Sequence, residues 1–355
     1  MMKKIISLVL AAALAASVLA SCKSRPKAEK HSGVFYNVFD TVITVISYQE
    51  SDEDFDRLLS YAKDRFAQLD KYYDIYTGYT EINNIKTIND NAGIAPVKVD
   101  KEIIDMLDFA VECYETTGGL TNIAMGSVLR EWHNAREFFE AGGEGYLPDM
   151  ATLREKAEHI DISCLVIDHE NMTVYITDPQ MSLDVGAVAK GYATELVARE
   201  LAEKYDNFAI SAGGNIRTHG KPKDGRDYWS IGIQNPMVDE NYAMIGGNIN
   251  IAHFDSDMSL VCSGGYQRFM VVDGVRYHHI VDPYTLFPKD IYAGVAILTE
   301  NSGLADALST AVFLMEPDDA LAFVNGMDGV ECVLTLPDGT NLYSNGTDAL
   351  LENEN

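Results

Sequence analysis

The chain is short of positive charge, of cysteine motifs and of the familiar nucleotide loops. It has 27 basic against 54 acidic side chains in 355 residues, a formal charge of -27. A surface that acidic repels nucleic acid, so nucleic-acid binding is excluded as a reading, and it repels phosphates too. A phosphorylated substrate therefore requires a metal or a local basic cluster to offset the field. Four cysteines follow Cys22, namely Cys113, Cys164, Cys262 and Cys332, with no CxxC and no Cys/His ligand spacing. That argues against zinc or a disulfide framework and for buried thiols, with Cys164 and Cys332 in apolar, strand-like runs. No GxxxxGK[ST], GxGxxG or Gly-x-Ser-x-Gly is present, and no repeat of solenoid period.

Long apolar runs are also scarce. The one from Ile5 to Ala20 follows Lys3-Lys4 and is too short and alanine-rich for an ordinary spanning helix. It reads as a signal peptide ending in Leu19-Ala20-Ser21-Cys22, which resembles a bacterial lipobox. The expected domains are a lipoprotein signal (1–21), a flexible tether after lipidated Cys22 (22–33), one compact catalytic unit (34–345) and an acidic tail (346–355). The expected location is the extracytoplasmic face of a membrane, held by lipid on Cys22. Cleavage removes Lys3 and Lys4 and no acid, leaving about -29.

Periodicity predicts helices over Asp52–Leu69, Lys101–Glu115, the region around Val128–Trp132, and the stretch following Ser182 as far as Lys204. Strands are expected at Tyr36–Tyr48, Phe208–Ser211, Trp229–Gln234, Ile245–Ile251, Phe269–Val272, Val295–Thr299 and Val330–Leu336. A hairpin is expected around His169-Glu170-Asn171. Strands from separate regions with a few long helices predict an α+β architecture.

One helix is out of character. Asn301–Glu316 (NSGLADALSTAVFLME) is apolar nearly all round, which predicts burial, with Asn301 or Ser302 capping its start and Glu316-Pro317 ending it. Asp306 and Thr310 lie four apart, so they stack on one face. A buried carboxylate needs a cation or donors, and an Asp oxygen beside a Thr hydroxyl suits Mg²⁺. The blander alternative is an Asp in the first turn that complements the helix dipole. Three glycine-bearing turns, Asp184–Gly191, Ser211–Arg217 and Cys262–Arg268, could bring backbone amides to a ligand or simply be tight turns. Lys190 could add a charge there or be solvated. His278 and His279, adjacent in a strand-like run, face opposite sides, and one of them could serve as a base near its ordinary pKa of roughly 6.5 or merely pack.

The pieces together resemble the ApbE family of FAD:protein FMN transferases, from about Tyr36 to Leu336. The likeness rests on DVGAVAKGYA (184–193), SAGGNIR (211–217), WSIGIQNP (229–236), Ser263-Gly264 with Arg268, HIVDPYT (279–285) and LADALST (304–310). It implies an ApbE-like, T-fold-related arrangement of mixed sheets packed with helices. It also implies Mg²⁺-dependent transfer of FMN from FAD to a threonine hydroxyl of an exported partner protein, with release of AMP. By the same likeness Asp306, Thr310 and the carbonyl of Ala187 match metal ligands, and His279 the base. Tyr76, the Ala124-Met125-Gly126 turn, Asp184, Lys190 and the backbone of Val281 match flavin or adenine contacts. Two other readings use the same residues: a FAD pyrophosphatase giving FMN and AMP, and a flavin-binding lipoprotein without chemistry. Phe39-Asp40-Thr41 stands where relatives carry Met-Gly-Thr. Leu286 replaces the glycine of DPxTGxP, so its turn is expected to avoid the left-handed conformation or to carry strain. Ser309 stands where some relatives have an additional Asp.

Overall fold

The computed structural model describes residues 28–266 and 268–352. The signal segment and Cys22 lie outside them. In chain order the strands are β1 (Glu29–Val38), β2 (Thr41–Gln49), β3 (Val97–Lys98), β4 (Leu165–Asp168), β5 (Thr173–Ile176), β6 (Phe208–Ala212), β7 (Asn215–His219), β8 (Trp229–Gln234), β9 (Asn248–Phe254), β10 (Ser259–Gly264), β11 (Phe269–Val272), β12 (Val275–His278), β13 (Gly294–Thr299), β14 (Glu331–Thr335) and β15 (Asn341–Tyr343). The helices are α1 (Asp52–Tyr73), α2 (Ile85–Asp90), α3 (Lys101–Thr116), α4 (Gly126–Glu140), α5 (Met150–Ala157), α6 (Ala189–Ala202), α7 (Ser302–Phe313) and α8 (Pro317–Asn325).

Eight strands form one sheet in the order β1-β2-β6-β7-β10-β13-β14-β15, antiparallel throughout. Its central strands carry buried side chains on both faces, sorted by alternation, whereas the edge strand β1 is largely exposed. Ile43 and Val45 of β2 face α1, α3 and α6, whereas Ile46 and Tyr48 face the β8–β9 hairpin. Val295 and Ile297 of β13 pack under α7 and α8, while Ala296 and Leu298 join Trp229 and Phe254 on the other side. A fourth cluster joins α4, through Val128 and Trp132, to Met270 of β11, Val281 and Leu286. The α+β expectation holds, and the helices lie on one face of a sheet whose other face a β-hairpin covers.

Several local expectations change. The stretch Tyr36–Tyr48, read as one strand, is a hairpin whose turn puts Phe39 and Asp40 at φ 52° and 50°. That is the left-handed pair of a type I′ turn, formed here without glycine. Residues 29–33, assigned to the tether, are the first half of β1 and pair with Gly33↔Val45 and its neighbours. Within the acidic tail, Leu351 pairs with Ala252, so the described part of that segment is docked. The Asn301 helix ends at Phe313, and Glu316-Pro317 opens α8 with proline at its first turn, where a missing N–H costs nothing. Cys332 is buried, whereas Cys164 is half-buried beside a short 3₁₀ turn (Ile162–Cys164), and all four described cysteines are free thiols. Among the described residues no helix is long and apolar enough to cross a membrane.

Candidate active site

The apolar helix α7 is held by its partner α6 through polar groups. Asn301 caps α7 by accepting the N–H of Leu304 at 3.1 Å. Glu195, buried on α6, accepts the Ser302 N–H at 3.0 Å, adding a carboxylate to the positive end of α7. Arg217 of β7 balances that charge with Nε 3.0 Å from Glu195 Oε2. Buried charges are tolerated only when paired in this way.

At the crossing of the two helices lies Gly191. Its amide, in the first turn of α6, has no partner within the helix. It donates instead to Asp306 Oδ2 at 2.7 Å. Asp306, 5% exposed, has its second oxygen 3.4 Å from the ammonium of Lys190. Lys190 in turn donates to Asn215 Oδ1 at 2.7 Å, and Asn215 Nδ2 is buried without an acceptor. Thr310 is half-buried one turn beyond Asp306 on the same helix face. A carboxylate, a hydroxyl and a backbone carbonyl are hard oxygen donors, and the carboxylate already has a cation beside it in the form of Lys190. The set therefore fits Mg²⁺. Among the described residues no three His, Cys, Asp or Glu side chains converge as a metal centre, so any ion here depends on this mixed set. Ser309 is occupied elsewhere: its hydroxyl donates to the Asp306 carbonyl at 2.8 Å and meets Ser263 Oγ at 2.7 Å.

Upstream, the turn before α6 is tied to the turn before α4. Gly126 N donates to Ser182 O at 2.9 Å and Asp184 N to Ile123 O at 2.8 Å. A Cβ at Gly126 would lie 2.4 Å from the Ser182 carbonyl, so this approach needs glycine. Ala124, Met125 and Gly126 are thereby set beside Asp184, whose carboxylate accepts the Gly186 N–H at 2.9 Å. Desolvation raises the Asp184 carboxyl above its usual range, opposed by Gly186 and by His133, Arg130 and Arg136. Tyr76, half open to solvent, stacks on His133 with ring centroids 5.4 Å apart. Burial, then Asp184, raises its phenol.

β12 ends on His278, and the adjacent His279 has a different fate. His278 is buried, donating through Nε2 to Lys289 O at 3.0 Å while Nδ1 accepts the Ile280 N–H at 3.1 Å, which assigns it as neutral. His279 is exposed, and its Nδ1 meets the Arg268 carbonyl at 3.3 Å. A carbonyl can only accept, so Nδ1 carries the proton and Nε2 keeps its lone pair. Desolvation by the surrounding protein, then His278, Arg268 and Arg136, push the His279 imidazole down to about 3. The shift is downward, which keeps the ring neutral at pH 7. Val281 follows, buried, its backbone paired with Pro288. Leu286 adopts φ 64°, so the turn takes the left-handed conformation despite its side chain. Trp132 Nε1 donates to the Leu286 carbonyl at 3.0 Å, and Leu286 itself is buried.

The structure thus joins Asp306, Lys190 and Gly191 at one crossing, and it sets the 124–126 turn beside Asp184 and Tyr76 against His133. Sequence reasoning did not single out Arg130, His133 and Arg136 of α4, or the Glu195–Arg217 pair. The signal for the first set was available: three basic residues at helical spacing in a chain this acidic.

The profile of the ApbE family matches residues 39–334. The chain belongs to the ApbE family. It is 31% identical over 268 residues to the FAD:protein FMN transferase of Treponema pallidum, covering 72% of this chain and 71% of that one. With the FAD:protein FMN transferase of Haemophilus influenzae it shares 28% over 333 residues, 90% of each. The crystal structure of the ApbE protein of Thermotoga maritima superposes with a TM-score of 0.78 at 25% identity, covering 92% of this chain and 100% of that one. The flavin transferase ApbE of Vibrio cholerae gives 0.74 at 22% identity over 91% of this chain and 100% of that one, a likeness of fold. In this ApbE chain the departures Asp40 and Leu286 both occupy left-handed positions that glycine fills without strain.

Proposed function

We propose that this ApbE-family enzyme, an FAD:protein FMN transferase, transfers FMN from FAD to a threonine hydroxyl of a partner protein and releases AMP, with Mg²⁺ held by Asp306, Thr310 and the Ala187 carbonyl. What supports the metal reading is Asp306, a buried carboxylate of α7 that the Gly191 amide ties to the first turn of α6, four residues after Ala187. Bound there, Mg²⁺ would supply charge neutralisation at the pyrophosphate.

The chain's own groups do the rest. Lys190 and the basic face of α4 counter the phosphates in a molecule whose overall charge opposes them. Tyr76, Asp184 and residues 124–126 line the cleft in which the dinucleotide would be oriented. His279 Nε2 is unprotonated and unpartnered by its own strand, so it can accept the threonine proton as the hydroxyl oxygen attacks phosphorus. The new bond is threonine oxygen to the FMN phosphorus, the broken one is the pyrophosphate P–O bond, and AMP departs with that oxygen. Arg268 O, by fixing Nδ1–H, sets which ring nitrogen does this.

The test is to incubate the purified full-length chain with FAD, Mg²⁺ and a threonine-bearing acceptor fragment, reading AMP and the acceptor mass together. Acceptor mass increased by FMN, and lost in Asp306→Asn, supports the proposal. AMP with free FMN and unmodified acceptor favours the pyrophosphatase, and unchanged FAD a carrier. On sequence grounds we also read the mature protein as lipid-anchored through Cys22, so that Cys22→Ala would leave the membrane fraction. Retention of that variant with membranes would rule the anchor out.

A further inference from the structure

Asp306 has two oxygens with unequal fates. Oδ2 is fixed by the Gly191 amide at 2.7 Å. Oδ1 is the oxygen left for a cation, and the Lys190 ammonium stands 3.4 Å from it. The lysine does not rest on Asp306 alone, because its shorter contact is to Asn215 Oδ1 at 2.7 Å. Its side chain is 24% exposed against 8% for Asp306, so a ligand arriving from the cleft meets the ammonium before the carboxylate. Two cations cannot share one carboxylate oxygen at contact without strong repulsion. The pair is therefore exclusive: ammonium or dication, one at a time.

We propose that Lys190 is a place-holder for the divalent cation, occupying Asp306 in the dinucleotide-free protein and leaving it when a pyrophosphate draws the ammonium into the cleft. The inference rests on the metal reading above and adds an order of events to it. A flexible four-carbon stem lets the charge move from Asp306 to a phosphate oxygen without backbone change. The buried carboxylate is then never left uncompensated, which would cost several kcal/mol. Cation affinity is low until the dinucleotide binds, and by reciprocity the dinucleotide binds more tightly in the presence of the cation. The competing account is a permanent ion pair that shapes Asp306 for the metal. That account makes the opposite prediction for loss of the lysine.

The experiment titrates Mn²⁺ onto the full-length protein without nucleotide, following free Mn²⁺ by electron paramagnetic resonance, for wild type, Lys190→Met, Lys190→Gln and Asp306→Asn. Lys190→Gln guards against misfolding of the methionine variant, since its amide can still reach Asn215 and Asp306. Removal of the ammonium is expected to tighten Mn²⁺ binding by about tenfold or more, within the usual span of coupling between sites. Lysine variants that fold and bind Mn²⁺ no better than wild type, or worse, overturn the place-holder while leaving Asp306 as a ligand. Asp306→Asn binding Mn²⁺ as tightly as wild type overturns the metal assignment itself, and the place-holder with it.

Discussion

Gly191→Ala sets two opposite effects against each other at the centre of the site. Replacing a glycine inside a helix by alanine gains about 1 kcal/mol in an open environment. The backbone here is not in the left-handed region, so conformation alone would favour the change. Space does not. The new Cβ would lie 2.4 Å from the Ser302 carbonyl, 2.4 Å from Asp306 Cβ and 3.0 Å from Asn215 Nδ2. The first of these is backbone of α7, already anchored by Glu195, so it cannot swing aside as a side chain would. Overpacking costs about 1–3 kcal/mol, and the displaced Asp306 forfeits a hydrogen bond to a charged acceptor worth roughly 1.5–3 kcal/mol more. The net is a loss of about 2–4 kcal/mol, a fall in melting temperature of several degrees up to about 10 °C. Gly78, with nothing near its would-be Cβ and no positive φ, supplies the control, with Gly78→Ala expected within about 0.5 kcal/mol of wild type. Thermal melts of both variants decide the matter. A Gly191→Ala protein as stable as wild type would mean that α6 and α7 do not approach as described.

His279→Asn is expected to lower FMN transfer by roughly 10²–10⁴-fold while FAD affinity and melting temperature stay near wild type. Because desolvation first, and its neighbours after it, lower the His279 imidazole, the wild-type rate should show no limb between pH 6 and 7 from this group, only at lower pH. A limb at 6–7 that vanishes in His279→Asn would refute the downward shift. Stability has its own pH dependence through His278, which folding keeps neutral below its unfolded value. The unfolded state then binds the extra proton, so stability falls as pH drops below about 6.5, by up to about 1.4 kcal/mol per pH unit for one proton. Urea titrations of wild type and His278→Gln between pH 7 and 5 should show the slope reduced in the variant. Leu286→Gly should relieve roughly 1–2 kcal/mol of left-handed strain but forfeit about 2–5 kcal/mol of burial against Trp132, a net loss measurable by the same titration. A stabilised glycine variant would show that the strain outweighs the packing.

Much of the fold was legible because long amphipathic helices announce themselves: α1 and α3 carry apolar residues at helical spacing behind Ser51 and Asp100, which cap them. β7 and β10 were not, because NIRTH and SLVCSG are short, polar and adjoin glycine pairs, so nothing but their neighbours makes them strands. The β1–β2 turn escaped notice for a related reason: Phe39-Asp40 lacks the glycine or asparagine that advertises a hairpin. At the site, Asp306 was conspicuous as a carboxylate in an apolar helix. Its contacts were not, since Lys190 lies 116 residues away and Gly191 115, separations over which spacing says nothing. The His279 shift was hidden similarly, as it arises first from desolvation by the folded chain and then from neighbours that include Arg268 and Arg136.

The neighbours in the large sheet follow chain order, yet the link from β2 to β6 spans most of the helical half of the molecule. Ser47 of β2 bonds to Asn207, 160 residues further on, just before β6. The first hairpin to be synthesised therefore waits for a partner that emerges only after α1 to α6. Closing so long a loop adds little entropy beyond a shorter one, but it postpones the reward for closing it. Until Phe208 arrives, β2 presents an unpaired edge, and the Lys190 turn has no α7 to meet. A nascent chain arrested before residue 208 would accordingly carry an unpaired strand edge and lack the α6–α7 crossing.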